Sequence, residues 1–224
     1  MNWISKFQLF LFDFDGLLVN TEALHFEAYQ TLCARHGFKL NWDFSTYCGA
    51  AHFDATSLRE ALYAHLPGLY AKQPVWEELY AEKKEIYMEL LRQGRLQLMP
   101  GVERLLRALQ EVGIKRCVVT HSPQEQVDYI RQMIPTLNLI PHWVTREDYL
   151  HPKPAPDGYE IAIERFAARG DEMIGFEDSL RGLQALKSTR KTLAVLISSF
   201  LHPLFDAKTP HFSSFSSIPD NWSP

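Results

Sequence analysis

The stretch "FLFDFDGLLVNTE", Phe10 to Glu22, decides the fold. An unbroken apolar run stops abruptly at two aspartates, Asp13 and Asp15, one residue apart. Apolar runs of this length without polar alternation mark central parallel strands covered on both faces. The end of such a strand solvates carboxylates poorly, so two of them side by side call for a partner of opposite charge. Gly16 follows at once and lets the chain turn tightly.

Outward from this run the pattern repeats. "CVVT" (Cys117 to Thr120), "MIGF" (Met173 to Phe176) and "LAVLI" (Leu193 to Ile197) read as further buried strands, and "HWVT" (His142 to Thr145) as a weaker one. Helical spacing separates them: Val102, Leu105, Leu106 and Leu109 after Pro100-Gly101; Val127, Ile130 and Ile134; Tyr159, Ile161, Ala162 and Phe166 after Pro156-Asp157; and Leu180, Leu183 and Leu186. Strand and helix in alternation predict an α/β fold with a doubly wound parallel sheet. Thr21 to Gln97 breaks the rhythm. Ala23–His36, Ala55–His65 and Trp76–Gln93 read as helices, "LPGLYAKQP" (Leu66 to Pro74) as a loop, and no buried strand is evident. The expected organisation is a catalytic core of residues 1–18 and 96–224 with a helical cap domain, 19–95, inserted after the first strand. Tyr63, Tyr70, Trp76, Tyr80 and Tyr87 are expected in the cap's own core. The serine-rich tail, Ser213 to Ser217, is expected as an edge strand or loop.

The 224 residues are 46% hydrophobic, enough for a substantial core. Lys+Arg 23 against Asp+Glu 27 gives a net charge of −4, which leaves no basic field for a nucleic-acid backbone. Three cysteines (Cys33, Cys48, Cys117) form no metal-binding spacing and suit a reducing compartment. The first apolar stretch meets aspartates too soon for a signal peptide, and no stretch is long enough to span a bilayer. A cytoplasmic monomer with no membrane or nucleic-acid partner is expected. Nine histidines, scattered without paired spacing, are expected on the surface or in loops.

In doubly wound sheets ligands bind outside the carboxyl ends of the strands. Polar groups gather at four such ends: Asp13 and Asp15; Thr120, His121 and Ser122; Lys153 in "HPKPAPD"; and Glu177 with Asp178. Taken singly each is ordinary, since a threonine or aspartate there often just caps the next helix. Together they describe a site for a hard divalent cation and a phosphate. Carboxylates suit Mg2+, which keeps several waters, and Lys153 with Thr120 offsets phosphate charge.

These residues, in this order, resemble the four motifs of the haloacid dehalogenase superfamily of phosphatases and phosphotransferases, and the match covers nearly the whole chain. "VNTEALH", "KPAPD" and "FEDSLRGLQA" resemble the subgroup containing beta-phosphoglucomutase and phosphoglycolate phosphatase. The resemblance implies a Mg2+-dependent enzyme acting on a small phosphorylated metabolite. It implies Asp13 as nucleophile, forming an aspartyl-phosphate, and Asp15 as general acid and then base. Asp13, the Asp15 carbonyl and Asp178 would hold Mg2+, with Glu177 as a ligand or one step behind. Thr120, His121 and Lys153 would bind the transferring phosphoryl group. In the cap, His25 and His52 fall at substrate positions. The related mutases carry an arginine where this chain has His52, three residues after Gly49. A histidine grips a second phosphate less well, so a phosphatase is expected rather than a mutase. A receiver-like, phospho-accepting protein is the non-enzymatic alternative, set aside because such proteins lack a helical insertion after the first strand. Asn20, His121 and Arg190 depart from the subgroup's usual Asp, Asn and Gly. A left-handed helix end at Arg190 would cost about 1 kcal/mol.

Overall fold

The computed structural model describes residues 1–52, 56–201 and 204–224. The chain divides into two compact units, one of Met1–Asn20 with Gln97–Pro224, the other of Thr21–Leu96.

In chain order the elements are β1 (Leu9–Phe12), α1 (Thr21–Arg35), α2 (Phe44–Ala51), α3 (Ser57–His65), α4 (Pro67–Lys72), α5 (Trp76–Arg92), α6 (Val102–Glu111), β2 (Lys115–Val119), α7 (Gln124–Met133), β3 (His142–Val144), α8 (Asp157–Phe166), β4 (Met173–Glu177), α9 (Leu180–Lys187), β5 (Thr192–Ile197) and β6 (His211–Phe212). The first unit is built on a sheet of order β3-β2-β1-β4-β5-β6, with every pair parallel. β1 is central and wholly buried, as its unbroken apolar run requires. Alternate residues feed opposite faces. Phe10 and Phe12 stack on Phe176, with Trp3 and Phe215 against them. Leu9 and Leu11 point the other way, into a cluster with Cys117, Val119, Tyr159, Ala162, Leu183 and Leu186. Each fully buried Phe or Leu side chain contributes about 1.5–3 kcal/mol.

Register decides what happens at the strand ends. Phe12 pairs with Val118 on one side and Phe176 on the other. Asp13 therefore leaves the sheet level with Val119 and Glu177, and its N–H still donates to the Phe176 carbonyl at 3.0 Å. Gly16, at φ +81°, reverses the chain directly after the aspartates.

The second unit contains α1 to α5 and no strand among its described residues. Tyr87 is buried, Tyr63 and Trp76 are half-buried and meet edge to face at 5.7 Å, but Tyr70 and Tyr80 lie exposed, 54% and 40%. Those two are surface rather than core residues of this unit.

Several local expectations need correction. Leu66–Pro74 holds α4, with Pro67 in the first helical turn, where a missing N–H costs nothing. α2 gave no clear periodic signal; it is started by the Asp43 side chain, which accepts from the Thr46 N–H at 2.7 Å. Ala55, expected to begin a helix, lies outside the described residues. Ile134 lies just beyond α7. The edge strand is His211–Phe212, and the serine-rich tail behind it makes a 3₁₀ turn at Phe215–Ser217. The left-handed residue after α9 is Lys191, φ 59°, not Arg190.

Candidate active site

Four strand ends and the loops behind them supply the site of the first unit. Lys153 is its hub. Its Nζ is buried and reaches Asp13 Oδ1 at 2.5 Å, Glu177 Oε1 at 2.7 Å and the Val119 carbonyl at 2.9 Å. The Tyr159 ring lies 4.9 Å from the ammonium, and the Tyr159 hydroxyl donates to the same Glu177 oxygen. Burial alone would lower the Lys153 pKa, but the charges of Asp13 and Glu177 more than offset it and hold the ammonium protonated. Burial pushes the Glu177 carboxyl up, and Asp13 adds to this beyond what Lys153 offsets. One ammonium is too little positive charge for the carboxylates around it.

Asp15 lies beside this cluster. Its Oδ2 accepts from the Ser122 hydroxyl at 2.6 Å and the Thr120 hydroxyl at 3.2 Å. Thr120 Oγ1 in turn accepts the Ser122 N–H at 2.9 Å, a local turn that a threonine at a strand end favours. The Thr120 carbonyl is held by the Tyr149 hydroxyl at 2.8 Å. His121 packs edge to face on Tyr149. Burial, then Lys153, Arg181 and Arg146, push its imidazole down to about 3, so at neutral pH the ring carries no charge for an anion. Any help it gives a phosphate comes through the main chain.

Asp178 follows Glu177 and precedes α9, whose first turn is closed by Ser179 Oγ accepting from the Gly182 N–H. Carboxylate oxygens of Asp13, Glu177 and Asp178 lie within 4.8 Å of one another. Glu177 Oε2 is buried without a hydrogen-bond partner. Three converging carboxylates, an orphaned oxygen and a deficit of positive charge fit a hard cation.

His25 and His52 belong to the second unit. His52 is buried, not at the surface, with Nε2 3.3 Å from Glu22 Oε1. Burial would raise the Glu22 carboxyl, but the hydrogen bond and charge of His52 pull it well below the usual range. Tyr47 also donates to Glu22, at 2.8 Å. His25 stacks on Tyr87 at 3.9 Å and lies 2.5 Å from the Nζ of Lys83, itself buried against Tyr29 and Tyr87.

Three residues at the site of the first unit were given no role from the sequence. Ser122 was named among the polar groups at the strand ends, a second hydroxyl two residues after Thr120, but no task was assigned to it. Tyr159 was absorbed into a helix's apolar face. Gly182 is a poor helix former inside a helix, and that was its signal. A Cβ there would lie 2.0 Å from Glu177 Oε2.

A family model for haloacid dehalogenase-like hydrolases matches residues 7–189. A phosphorylated carbohydrates phosphatase of Thermotoga maritima is 27% identical over 181 residues, 80% of this chain and 79% of the relative. A probable pseudouridine-5'-phosphatase of Drosophila melanogaster is 31% identical over 185 residues, 80% of this chain and 76% of the relative. Among solved structures, CbbY from Rhodobacter sphaeroides in complex with phosphate superposes with a TM-score of 0.72 at 23% identity, covering 94% of this chain and 95% of that one. The last likeness speaks for the fold; the family model and the relatives speak for the chemistry. The chain belongs to the haloacid dehalogenase-like hydrolases, as a phosphoric monoester hydrolase of that family.

Proposed function

We propose that the chain is a Mg2+-dependent phosphatase of a small phosphate monoester, a sugar phosphate, phosphoglycolate or similar, working through an aspartyl-phosphate on Asp13. The observation that carries this is the pairing of a carboxylate fixed by a buried lysine with a second carboxylate two residues on, held by hydroxyls instead. Two environments for two carboxylates suit two roles.

Asp13 attacks phosphorus with a carboxylate oxygen. The ester P–O bond breaks, and the leaving oxygen takes the proton of the Asp15 carboxyl. Asp15, now a carboxylate, takes a proton from water, whose oxygen attacks the phosphoryl group. Inorganic phosphate leaves and Asp13 is restored. Lys153 and the Thr120 hydroxyl bind phosphoryl oxygens, with the His121 N–H beside them. Asp13 and Asp178 side chains with the Asp15 carbonyl would hold Mg2+, which supplies charge to offset the phosphate's. Glu177 serves as the carboxylate that anchors Lys153, since Oε1 is committed to Lys153 and Tyr159. Its Oε2, buried without a hydrogen-bond partner, adds negative charge beside the carboxylates that would hold the ion.

Activity should vanish in excess chelator and return with added Mg2+, whereas Ca2+ should inhibit, its larger, looser shell disturbing in-line geometry. Phosphate release in chelator at the untreated rate would contradict the ligand set. A panel of sugar phosphates, phosphoglycolate and nucleoside monophosphates, scored by released phosphate, would identify the substrate.

The commitment of His52 to Glu22 favours hydrolysis over phosphoryl transfer between hydroxyls. A mutase must grip a remote phosphate, and His52 would have to break a buried pair to do so. Glucose 1-phosphate supplied with a trace of the 1,6-bisphosphate should yield no glucose 6-phosphate. Its rapid formation without phosphate release would make the protein a mutase.

No helix among the described residues is long and apolar enough to cross a membrane. The three free, buried cysteines suit the cytoplasm, and a monomer without nucleic-acid or membrane partner completes the proposal.

A further inference from the structure

The Asp15 carboxylate rests on the hydroxyl that the phosphate needs. Thr120 has one hydroxyl proton. In the structure it points to Asp15 Oδ2 at 3.2 Å. A phosphate oxygen carries more charge and accepts that hydrogen bond in place of Asp15, so binding the substrate draws away one of the two hydroxyls that converge on Oδ2. The Ser122 hydroxyl remains. Its bond is the shorter, 2.6 Å, in the range of charge-assisted O–H···O contacts. It is oriented from behind: Gln126 Nε2, in the first turn of α7, donates to Ser122 Oγ at 2.8 Å. With Oγ accepting from Gln126, its own proton is directed at Asp15. Ser122 is buried, and its N–H is fixed on Thr120 Oγ1.

We infer that Ser122, oriented by Gln126, is a positioning residue for Asp15, holding the acid's carboxyl in place once the phosphate has claimed Thr120. The inference rests on the phosphatase reading above. It separates two functions that adjoin: Thr120 serves the phosphoryl group, and Ser122 serves the proton.

Leaving-group dependence tests it. The ratio kcat/KM reports only steps up to departure of the alcohol. A simple alkyl phosphate needs a proton delivered there; p-nitrophenyl phosphate, whose phenolate departs readily, does not. Ser122→Ala should lower kcat/KM for the alkyl ester about 30- to 100-fold, as a misplaced acid does. For p-nitrophenyl phosphate it should fall less than about threefold, because the nucleophile and phosphate contacts are untouched. Ser122→Thr, which keeps the hydroxyl, should restore most of the alkyl-ester rate. Gln126→Leu provides a second route should Ser122→Ala fold poorly, with a smaller loss confined to the alkyl ester. Equal losses on both substrates, or none on either, would overturn the inference. Failure of the wild-type enzyme to hydrolyse any phosphate ester would instead sink the phosphatase reading itself.

Discussion

Replacing Asp13 by asparagine should reduce phosphate release by at least about 10⁴-fold while the protein remains folded. The amide keeps the shape of the side chain and one oxygen but is no nucleophile. Lys153 does not lose its anchorage with it, because Glu177 Oε1 and the Val119 carbonyl still hold the ammonium. The main-chain bond from Asp13 to Phe176 also stays, so the end of the central strand is unaffected. Phosphate release from the best substrate of the panel, alongside a thermal melt, checks both halves. Activity retained within about tenfold would reject Asp13 as nucleophile, since loss of a covalent catalyst costs far more.

The second large effect is expected at a residue that touches no substrate. Gly182→Ala places a methyl group 2.0 Å from Glu177 Oε2 and 2.2 Å from its carboxyl carbon. A side-chain end can ordinarily swing aside. Glu177 cannot do so cheaply, because it is fully buried and gripped by Lys153 and Tyr159. Moving it breaks a buried ion pair and leaves the Tyr159 hydroxyl to find another partner. A loss of about 2–4 kcal/mol is expected from overpacking and a disturbed buried pair. That corresponds to a fall in Tm of about 5–15 °C for a chain of this size. Activity should fall with it, because Lys153 loses one of its two anionic holds. A variant as stable and active as the parent would show that Glu177 shifts freely and that its pairing with Lys153 matters little.

The parts of the molecule legible in the sequence share one property: a single pattern determines them. β1, β2, β4 and β5 are runs of apolar residues that only a doubly covered parallel sheet can bury, so their positions were evident to within a residue or two. Convergence at the strand ends followed from topology, and with it the gathering of Asp13, Thr120, Lys153 and Glu177. What could not be read depends on who meets whom in space. α4 hides because a proline and a glycine suggest a loop until the helix is seen to start on the proline. His52 resembled a surface histidine because nothing along the chain pairs it with Glu22, thirty residues away. Gly182 and Tyr159 matter only through Glu177, and no local spacing connects either to it. Ser122 was visible as a polar residue, but the task inferred for it depends on which of two hydroxyls, Thr120 or Ser122, Asp15 keeps.

The position of β1 within the sheet has a consequence for the chain as it is synthesised. Leu9–Phe12 is made before both of the neighbours it needs in the sheet, Lys115–Val118 and Met173–Phe176. Contacts so distant in sequence form late. Until they form, a fully apolar strand with two bare edges is a template for association with other unfinished chains. Charged residues beside such a segment block that association, and Asp13 and Asp15 lie directly at its end. The pair of carboxylates to which the proposed mechanism gives the phosphate chemistry thus shields the emerging polypeptide first, long before residue 177 exists to join them.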